Sequence, residues 1–420
     1  MYVAALRLVN FRSYCDTSVR FGHGLNVVVG DNATGKTNLL EGAWYALRGG
    51  SPRTRREEKL ISWGERFTRA ELEVDGGVGG RQRLEVGYAP GQGKRVFWQG
   101  VEVTTLDELR SRTQVFIFVP ESLLLVKGSP ARRRAHLDAF GAALDQEYAA
   151  AAREMHAVVR QRNAQLQAVK HGAPDGALDP WDSQFARVSV ALGRRRGRLV
   201  DDLAGRFAEV AAALAPSAQR FELQLVSQLA TMGYEEAALL HELRVRRPSE
   251  VQRGLSLFGP HRDDLRFLEV SAAVAAEEAP REPEPSEGGA PAGIIPPLST
   301  CGTVLLPRGG RDLRLFGSQG EQRAAVLALL LAERLVAEEL TGEPGTLFLD
   351  DVMSELDDAR RRLLVRMLSS AGQTIITTTN RQYFTEEELA DATVIELPLE
   401  GSLVRSAPDG ASSTGAEAPA

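Results

Sequence analysis

The stretch GDNATGKT, residues 30–37, matches the phosphate-binding pattern G-x-x-x-x-G-K-[ST] at every position. It follows the β-branched run LNVVV and leads into an amphipathic segment, which is the strand–loop–helix context that the pattern requires. Glycines let backbone N–H groups wrap a phosphate chain, and the start of a helix adds positive potential. Lys36 is expected to bridge the β- and γ-phosphates as a catalytic cation, and Thr37 to ligate Mg²⁺. The sequence therefore predicts a nucleoside triphosphate site formed by Gly30, Asp31, Asn32, Ala33, Thr34, Gly35, Lys36, Thr37 and Asn38.

An apolar run that ends in two carboxylates, TLFLDD at residues 346–351, is the second candidate for chemistry. Asp350 suits the metal side of a triphosphate site, where a carboxylate holds Mg²⁺ through water. Asp351 would then lie near the γ-phosphate, where it can orient or deprotonate the attacking water as a catalytic residue. The Asp-Asp pair alone fits a capped turn equally well. The following SELD, residues 354–357, makes the pattern narrower and favours the catalytic interpretation.

A second helix start follows much later, in FGSQGEQR at residues 316–323. Ser318 is a plausible N-cap, and the N-terminus of a helix attracts anions. A nucleotide on the first loop already has its α- and β-phosphates covered, so this helix start could meet the γ-phosphate held by a second copy. The simpler interpretation is a capped core helix, and its apolar run at 324–331 fits that as well. The candidate nucleotide contacts here are Ser318, Gln319 and Gly320.

These candidate groups must be positioned by an α/β body, which the hydrophobic periodicities outline. Strands are predicted at Val3–Val9 and Leu25–Val29, and a helix at Asn38–Leu47. A strand at Thr374–Thr379 is expected to lie parallel to the acidic strand. From Phe67 to Val119, alternation with a period of two between glycine-rich turns predicts antiparallel hairpins.

The middle of the chain changes to helical spacing over residues 130–215. Two long apolar-periodic segments there are separated by HGAPDGALDP, residues 171–180, which predicts an antiparallel helical arm inserted into the α/β body. Residues 271–298 and 405–420 are rich in Ala, Pro and Gly and lack aromatic residues. Neither segment is expected to fold.

Composition describes an ordinary globular protein, with 420 residues, 43% hydrophobic and 25% charged, long enough for two domains. Cys15 and Cys301 match no metal-ligand spacing and are too few for a disulfide scaffold, which favours a reducing cytoplasm. No apolar run is long enough to span a bilayer, and the N-terminal residues lack the pattern of a signal peptide. A cytoplasmic protein without a membrane partner is therefore expected.

The net charge of −6 hides an asymmetry that keeps nucleic-acid binding open. Residues 1–70 hold 11 basic and 6 acidic residues and residues 131–200 hold 12 and 7, whereas residues 271–420 hold 12 and 24. Without interleaved aromatic residues, contact with a duplex backbone is favoured over stacking on single strands. For a single arginine a solvated helix face is the simpler interpretation. The prediction of DNA binding therefore concerns three groups: Arg53, Arg55, Arg56 and Lys59; Arg132, Arg133 and Arg134; and Arg194, Arg195, Arg196 and Arg198.

Three further polar residues keep two interpretations open. Arg12, just after a predicted strand, could reach a phosphate or pair with a local carboxylate, and the same choice holds for His261 and Arg262. The six histidines are scattered along the chain, so no metal is expected apart from the Mg²⁺ that accompanies a triphosphate.

The loop, the GSQGE helix start, the acidic strand and the SELD segment together resemble an ABC-type ATPase head. In that family two heads enclose two ATP molecules. The helix start that corresponds to GSQGE (317–321) is called the signature, and each signature caps the ATP held by the opposite head. Further segments narrow the resemblance to the RecF family of bacterial recombination-mediator ATPases, in the SMC-like branch. These segments are LRLVNFRSY (6–14), SPRTRREEKLISWG (51–64), FVPESLLLVKGSPARRRAHLD (118–138) and GPHRDDL (259–265).

The resemblance implies an α/β fold, namely an ABC-type ATPase head made of a P-loop NTPase core and an antiparallel β subdomain, with an inserted helical arm domain. It implies ATP and Mg²⁺ as cofactors, an ATP-dependent homodimer on gapped or duplex DNA, and slow, DNA-stimulated hydrolysis that drives release. It also implies that RecO and RecR act with the protein to load RecA in recombinational repair and replication-fork maintenance. The expected domains are the head at 1–128, the arm at 129–247, the head again at 248–270 and 311–400, a low-complexity insertion at 271–310 and a tail at 401–420.

The main alternative is an ABC transporter-type ATPase subunit, which would need a membrane partner. Transporter heads carry a switch histidine after the strand predicted at Thr374–Thr379, and this chain has Thr or Asn there. A small-molecule P-loop kinase would leave residues 318–323 and 354–357 without a role. An SMC head would need coiled coils far longer than this arm. The segment between GPHRDDL and the signature is longer than the family leads one to expect, but it breaks no motif.

Overall fold

The computed structural model describes residues 2–75, 80–103, 105, 113–214, 219–271, 310–369 and 372–399. The chain divides into two compact units: the first unit comprises residues 1–121 and 344–420, and the second unit comprises residues 122–343. The expected domain limits, which follow function rather than compactness, stay a prediction. Residues 272–309 of the expected insertion and the expected tail lie outside the described residues.

Fourteen strands are present in the described residues: β1 Tyr2–Phe11, β2 Tyr14–Arg20, β3 Leu25–Val29, β4 Thr68–Asp75, β5 Gln82–Ala89, β6 Gly93–Trp98, β7 Val101–Glu102, β8 Val115–Phe118, β9 Gln219–Val226, β10 Asp264–Ser271, β11 Gly310–Asp312, β12 Thr346–Asp350, β13 Thr374–Thr378 and β14 Thr393–Glu396. The α-helices in the same part of the chain are α1 Lys36–Arg48, α2 Leu124–Lys127, α3 Pro130–Leu144, α4 Gln146–Lys170, α5 Asp179–Leu214, α6 Glu236–Arg253, α7 Leu313–Phe316, α8 Gln319–Thr341, α9 Asp358–Ser369 and α10 Glu386–Ala390.

The first unit is centred on a five-stranded sheet in the order β14-β3-β13-β12-β8, in which every neighbouring pair is parallel. The predicted strand at Thr374–Thr379 is confirmed beside the acidic strand β12. The prediction for β8 is wrong, because it belongs to this sheet rather than to the antiparallel hairpins. Its sequence VFIF is apolar throughout and buried, although β8 is the last strand in the sheet order. Such continuous apolar runs are typical of parallel sheets that are covered on both faces, and they show no alternation of apolar and polar residues.

A six-stranded antiparallel sheet in the order β2-β1-β4-β5-β6-β7 completes the first unit. The predicted hairpins between β4, β5 and β6 are confirmed. Strand β2, with the sequence YCDTSVR, was not predicted. Tyr14, Thr17 and Val19 are its buried positions, and a threonine in the middle of that face obscured the alternation.

Helix α1 follows the phosphate-binding loop and packs the loop onto the unit's core. It begins after Gly35, whose φ of 99° lies in the left-handed region, and it ends at Gly49 with a φ of 66°. Its buried side includes Leu39, Leu40, Ala43 and Leu47, which recur at helical spacing within the helix predicted at Asn38–Leu47. The start of α1 is therefore fixed both by backbone conformation and by burial of its apolar face.

The second unit contains the predicted helical arm, formed by α4 and the 36-residue helix α5. The sequence pattern from Leu137 to Leu166 predicted one continuous helix, and this is wrong. The chain breaks at Asp145, which has an extended backbone and whose carboxylate accepts a hydrogen bond from the Glu147 N–H, so α3 ends and α4 begins there. Apolar spacing continues across this break, which concealed it.

The arm is held together by a buried arginine, Arg162 on α4, which has no exposed surface. It donates to Asp182 on α5 at 2.8 Å and to Glu250 on α6 at 2.6 Å. A three-stranded antiparallel sheet, β11-β10-β9, lies in the same unit. Among the described residues, no helix is both long and apolar enough to cross a membrane.

Candidate functional site

The phosphate-binding loop is shaped by contacts from the β1–β2 turn. The Tyr14 hydroxyl donates to the Gly35 carbonyl at 3.1 Å, and a Cβ added at Gly35 would lie 2.9 Å from that hydroxyl oxygen. Asn38 donates from Nδ2 to Ser13 Oγ at 3.0 Å. Ala33 also has a positive φ, 66°, within the loop. The loop therefore needs glycine at position 35 for both its backbone conformation and its space.

The Lys36 ammonium lies inside this loop and bonds to the loop's own backbone. Its Nζ donates to the carbonyls of Gly30 at 2.6 Å and Asp31 at 2.7 Å. Burial lowers the pKa of Lys36, although the nearby carboxylates, Asp351 foremost, act in the opposite direction. A buried cation held by carbonyls at this position can exchange them for phosphate oxygens, which carry more negative charge.

Strand β12 delivers Asp350 directly to the start of α1. Thr37 Oγ1 donates to Asp350 Oδ2 at 2.7 Å, and Thr377 Oγ1 on the neighbouring strand donates to Oδ1 at 2.8 Å. Burial raises the pKa of Asp350, while the two threonine hydroxyls partly offset this. The hydroxyl and the carboxylate predicted to face a metal are thus side by side. The role of Thr377 was not predicted, because nothing in its sequence context distinguishes it from a sheet residue.

Asp351 is set apart from Asp350 by its backbone. Its φ is 47°, unusual for a residue other than glycine, and its N–H donates to Thr377 Oγ1 at 3.0 Å. Its carboxylate atom Oδ1 is buried and has no hydrogen-bond partner among the described residues. An unsatisfied buried carboxylate oxygen is costly, so this atom is available to accept a hydrogen bond from a ligand.

A second polar cluster lies one helical turn further along α1, around the buried carboxylate of Glu41. Arg12 donates to both of its oxygens, at 3.0 and 2.8 Å, and Ser51 Oγ donates at 2.5 Å. Arg53 Nη1 lies 3.2 Å from the same group and 3.3 Å from Asn38 Oδ1. Of the two interpretations of Arg12, the structure places it on a local carboxylate. Arg53 is likewise engaged next to the loop.

The signature-like helix start belongs to the second unit, where Ser318 caps α8 as predicted. Ser318 Oγ accepts from the Glu321 N–H at 3.2 Å, and the Glu321 carboxylate accepts from the Ser318 N–H at 2.6 Å. Ser318, Gln319 and Gly320 are exposed, and a Cβ added at Gly320 would meet nothing within 4 Å. Just before them, Leu315 and Phe316 are 68% and 63% exposed. This end of α8 therefore presents an accessible helix N-terminus beside an apolar surface.

Two of the arginines predicted to bind DNA are buried, which corrects the prediction for Arg133 and Arg196. Arg133 donates to both oxygens of Asp264, at 2.7 and 2.9 Å, and Arg196 donates to Asp263 at 2.7 Å and to Asp138 at 2.8 Å. Both arginines are at most 3% exposed. Asp264 and Asp263 of GPHRDDL therefore bind Arg133 and Arg196, respectively, inside the second unit.

The other predicted DNA contacts divide into engaged and exposed side chains. Arg134 donates to the Asp263 carbonyl at 2.6 Å, and Arg195 pairs with Asp145 at 2.6 Å. Arg194 is exposed, although it donates to the Tyr234 carbonyl at 3.2 Å. The side chains that are exposed and make no ion pair among the described residues are Arg55, Arg56, Lys59, Arg132 and Arg198.

His261 and Arg262 both bond to the backbone of the second unit. His261 Nε2 lies 3.0 Å from the Ser256 carbonyl, and Arg262 Nη2 donates to the same carbonyl at 3.1 Å. Burial lowers the pKa of His261 to about 4, so the ring is neutral at pH 7. The structure thus gives both residues local roles. Within the described residues, no three His, Cys, Asp or Glu side chains are grouped to bind a metal.

Residues 5–121, which include the phosphate-binding loop, match the AAA domain family. The chain is 34% identical over 378 residues to the DNA replication and repair protein RecF of Moorella thermoacetica, covering 89% of each protein. It is 30% identical over 409 residues to RecF of Halalkalibacterium halodurans, covering 96% of this chain and 99% of that protein. The chain belongs to the RecF family of DNA replication and repair proteins.

Solved structures agree with this assignment. The recombination mediator protein RecF of the RecFOR pathway, solved as RecF-ATPrS, has a TM-score of 0.71 and 25% identity, covering 91% of this chain and 94% of that chain. An Smc head bound to the C-winged helix domain of ScpA has a TM-score of 0.50 at 15% identity, covering 91% and 90%, and it supports the fold alone. The predicted α/β fold of an ABC-type ATPase head with a helical insertion is confirmed. RecF membership also favours this interpretation over a transporter subunit.

Proposed function

We propose that this RecF-family protein is an ATP-dependent DNA-binding protein of recombinational repair and a weak, DNA-stimulated ATPase. The observation that carries the proposal is the arrangement at the carboxyl ends of β3 and β12 in the parallel sheet. There Lys36 and Thr37 of the phosphate-binding loop lie with Asp350, and the adjacent Asp351 offers an oxygen without a hydrogen-bond partner among the described residues. A related RecF has been solved as RecF-ATP, with a TM-score of 0.72 and 24% identity.

Mg²⁺ fits the donor set on the metal side of this loop. Thr37 Oγ1 and Asp350 Oδ2 are oxygen atoms 2.7 Å apart, and oxygen ligands are those that Mg²⁺ prefers. The two residues would hold the ion together with phosphate oxygens and water, and the ion would supply neutralisation of the developing phosphate charge. The burial that raises the pKa of Asp350 would be compensated by that positive charge.

The chain's own residues divide the work of hydrolysis. Lys36 exchanges its bonds to the Gly30 and Asp31 carbonyls for phosphate oxygens, and the N–H groups of the loop orient the phosphate chain. Asp351 accepts a hydrogen bond, and then the proton, of the attacking water at Oδ1. The bond that forms joins the water oxygen to the γ-phosphorus, and the bond that breaks frees ADP.

The signature residues act on a second copy. Ser318, Gln319 and Gly320 form an exposed helix start in the second unit, and its dipole would meet the γ-phosphate bound to the partner's loop. The exposed Leu315 and Phe316 next to them would be covered in the same closure. ATP thus holds the two copies together in a homodimer, and slow hydrolysis of ATP allows the dimer to separate.

DNA is the proposed macromolecular ligand, and the contacts are revised by burial. Because Arg133 and Arg196 are buried, we no longer propose that they contact DNA. The proposed contacts are the exposed cations, together with four arginines that already bond within the protein and would have to exchange or share those bonds: Arg53, Arg134, Arg194 and Arg195. The exposed cations are Arg55, Arg56, Lys59, Arg132 and Arg198. By analogy with the RecFOR pathway, the partners are RecR and RecO at a gap where RecA is loaded, in the cytoplasm.

Sedimentation velocity tests the proposal. Wild type with ATP and gapped duplex is expected to sediment as a DNA-bound dimer, and without nucleotide mainly as a monomer. Ser318→Arg should stay monomeric because a long cation would occupy the space of the γ-phosphate. Thr385→Arg removes the same kind of helix cap from α10 and is the matched control, which should dimerise normally. Normal dimerisation of Ser318→Arg would refute the shared site.

A further inference from the structure

Trp63 is the most exposed large apolar side chain among the described residues, at 79%. Single exposed apolar residues are common on protein surfaces. A tryptophan differs because its indole offers a wide flat face, and such residues recur where proteins bind ligands. Nothing in the proposed ATP chemistry uses Trp63. Its position in the sequence, within SPRTRREEKLISWGERF at 51–67, places it at the end of a predicted DNA-binding segment.

The turn that carries Trp63 is firmly anchored. Ser62 is buried, its N–H donates to the Asn10 carbonyl at 2.9 Å, and its hydroxyl lies 2.8 Å from the Arg12 carbonyl oxygen. The Glu65 N–H closes the turn onto the Ser62 carbonyl at 3.0 Å. Gly64 supplies the required left-handed backbone, with a φ of 84°. The indole is therefore presented on a rigid support, so a ligand would pay little entropy to order it.

The charges near Trp63 in sequence favour an anionic ligand. Four exposed cations within eight residues of it make no ion pair among the described residues, while two of the acids between them are engaged. Glu57 pairs with Lys94 at 2.6 Å, and Glu58 accepts a hydrogen bond from the Tyr88 hydroxyl at 3.5 Å. The free cations are Arg55, Arg56, Lys59 and Arg66. A flat aromatic face among free cations suits a polyanion that also has flat faces, which describes a nucleic-acid strand with unstacked bases.

The turn that carries Trp63 and the phosphate-binding loop both contact the turn between β1 and β2. Ser62 bonds to the β1–β2 turn, and in that turn Tyr14 contacts Gly35 and Ser13 contacts Asn38. The turn that carries Trp63 and the phosphate-binding loop therefore both bond to residues 12–14 of the first unit.

We propose that Trp63 is a stacking platform for an unpaired base, so that this protein distinguishes DNA with a single-stranded gap from continuous duplex. In a continuous duplex every base face is covered by its neighbours, whereas a gap leaves faces open to the indole. The proposal rests on the proposed DNA binding and adds the residue that reads the gap. It also revises the sequence-based expectation of backbone contact without aromatic stacking.

Fluorescence anisotropy with ATP can measure affinity for a gapped duplex and for a continuous duplex of equal length. Base–aromatic stacking predicts that Trp63→Ala weakens binding to gapped DNA by at least about five-fold and leaves duplex binding within about two-fold. Trp63→Phe should retain most of the preference, since it keeps an aromatic face. Val101→Ala removes another exposed apolar side chain from the first unit, 70% exposed, and should change neither affinity.

A 2-aminopurine base in the gap reports stacking directly, because its fluorescence is quenched when it stacks. Wild type should quench it, and Trp63→Ala should not. If wild type binds both DNAs while Trp63→Ala keeps the full gap preference and the quenching, the proposal is wrong and the DNA-binding function stands. Equal losses on both DNAs would assign Trp63 to backbone contact, and unchanged DNA binding with lost RecR binding would assign it to a protein partner. Either result overturns the proposal. Failure of wild type to bind any DNA with ATP would instead refute the proposed function itself.

Discussion

Replacing Arg133 with Met should destabilise the second unit strongly, whereas replacing its neighbour Arg132 should not. Arg133 donates two hydrogen bonds to Asp264, and its Nη1 also donates to the carbonyls of Val126 and Gly128 at 3.1 and 2.9 Å. Methionine keeps much of the volume but leaves a largely buried carboxylate and two carbonyls without their donor. Breaking a buried pair from one side costs about 3–5 kcal/mol. Arg132 is exposed and makes no ion pair among the described residues, so Arg132→Met should change stability by less than about 0.5 kcal/mol.

Urea unfolding followed by the helical circular dichroism signal measures the stability of both variants. DNA affinity, measured at a temperature where both are folded, should show the reverse order, with a loss in Arg132→Met and none in Arg133→Met. The pair Arg196→Met and Arg198→Met repeats the comparison on α5, with Arg196 buried and Arg198 exposed. A wild-type unfolding midpoint for Arg133→Met together with lost DNA affinity would refute the structural role assigned to this arginine.

The remaining predictions concern hydrolysis, salt and pH. Asp351→Asn should retain ATP binding but slow phosphate release by about 10²–10⁴-fold, because the group that takes the proton of water is lost; unchanged release would exclude this role. The logarithm of DNA affinity should fall linearly with the logarithm of salt concentration, and Arg55→Gln should make that slope shallower by about 0.9, which titrations at several salt concentrations can check. Burial would lower the pKa of His136, but attraction and a 2.7 Å hydrogen bond to Glu333 outweigh it and raise the pKa. Its stabilisation is therefore complete below the unfolded pKa of about 6.5 and is lost as pH rises through the higher folded value, so thermal midpoints across this range should fall more in wild type than in His136→Gln.

Local patterns in the sequence were sufficient to predict the parts of the site that lie next to each other along the chain. The loop at 30–37 imposes a glycine with φ of 99°, and Ser318 caps α8 with Glu321 three residues later. Both depend on backbone conformation within a few residues, which residue type controls directly. The strand before Asp350 was equally visible because its apolar residues are contiguous.

Contacts between distant residues could not be predicted in this way. Thr37 and Asp350 are 313 positions apart and Arg133 and Asp264 are 131 apart, so only the packing of elements brings them together. In the run Arg132 to Arg134, Arg132 is exposed and Arg133 is buried. Consecutive residues of the same type give the sequence no pattern that distinguishes the exposed arginine from the buried one. Trp63 was overlooked for a related reason, since exposure depends on how its turn is anchored.

The central claim is that each triphosphate site is completed by a second copy of the chain, and mixing two inactive variants tests it most directly. Lys36→Arg replaces the compact ammonium inside the loop with a larger, planar guanidinium that does not fit the same contacts. Ser318→Arg blocks the helix start at residues 318–320, so each variant alone should neither dimerise normally nor hydrolyse ATP. In a mixed dimer the intact loop of one copy faces the intact signature of the other. An equal mixture with DNA should therefore recover phosphate release, to at most about half of the wild-type rate, since each mixed dimer has one complete site instead of two. Hydrolysis by Ser318→Arg alone at the wild-type rate, with no gain on mixing, would contradict the account.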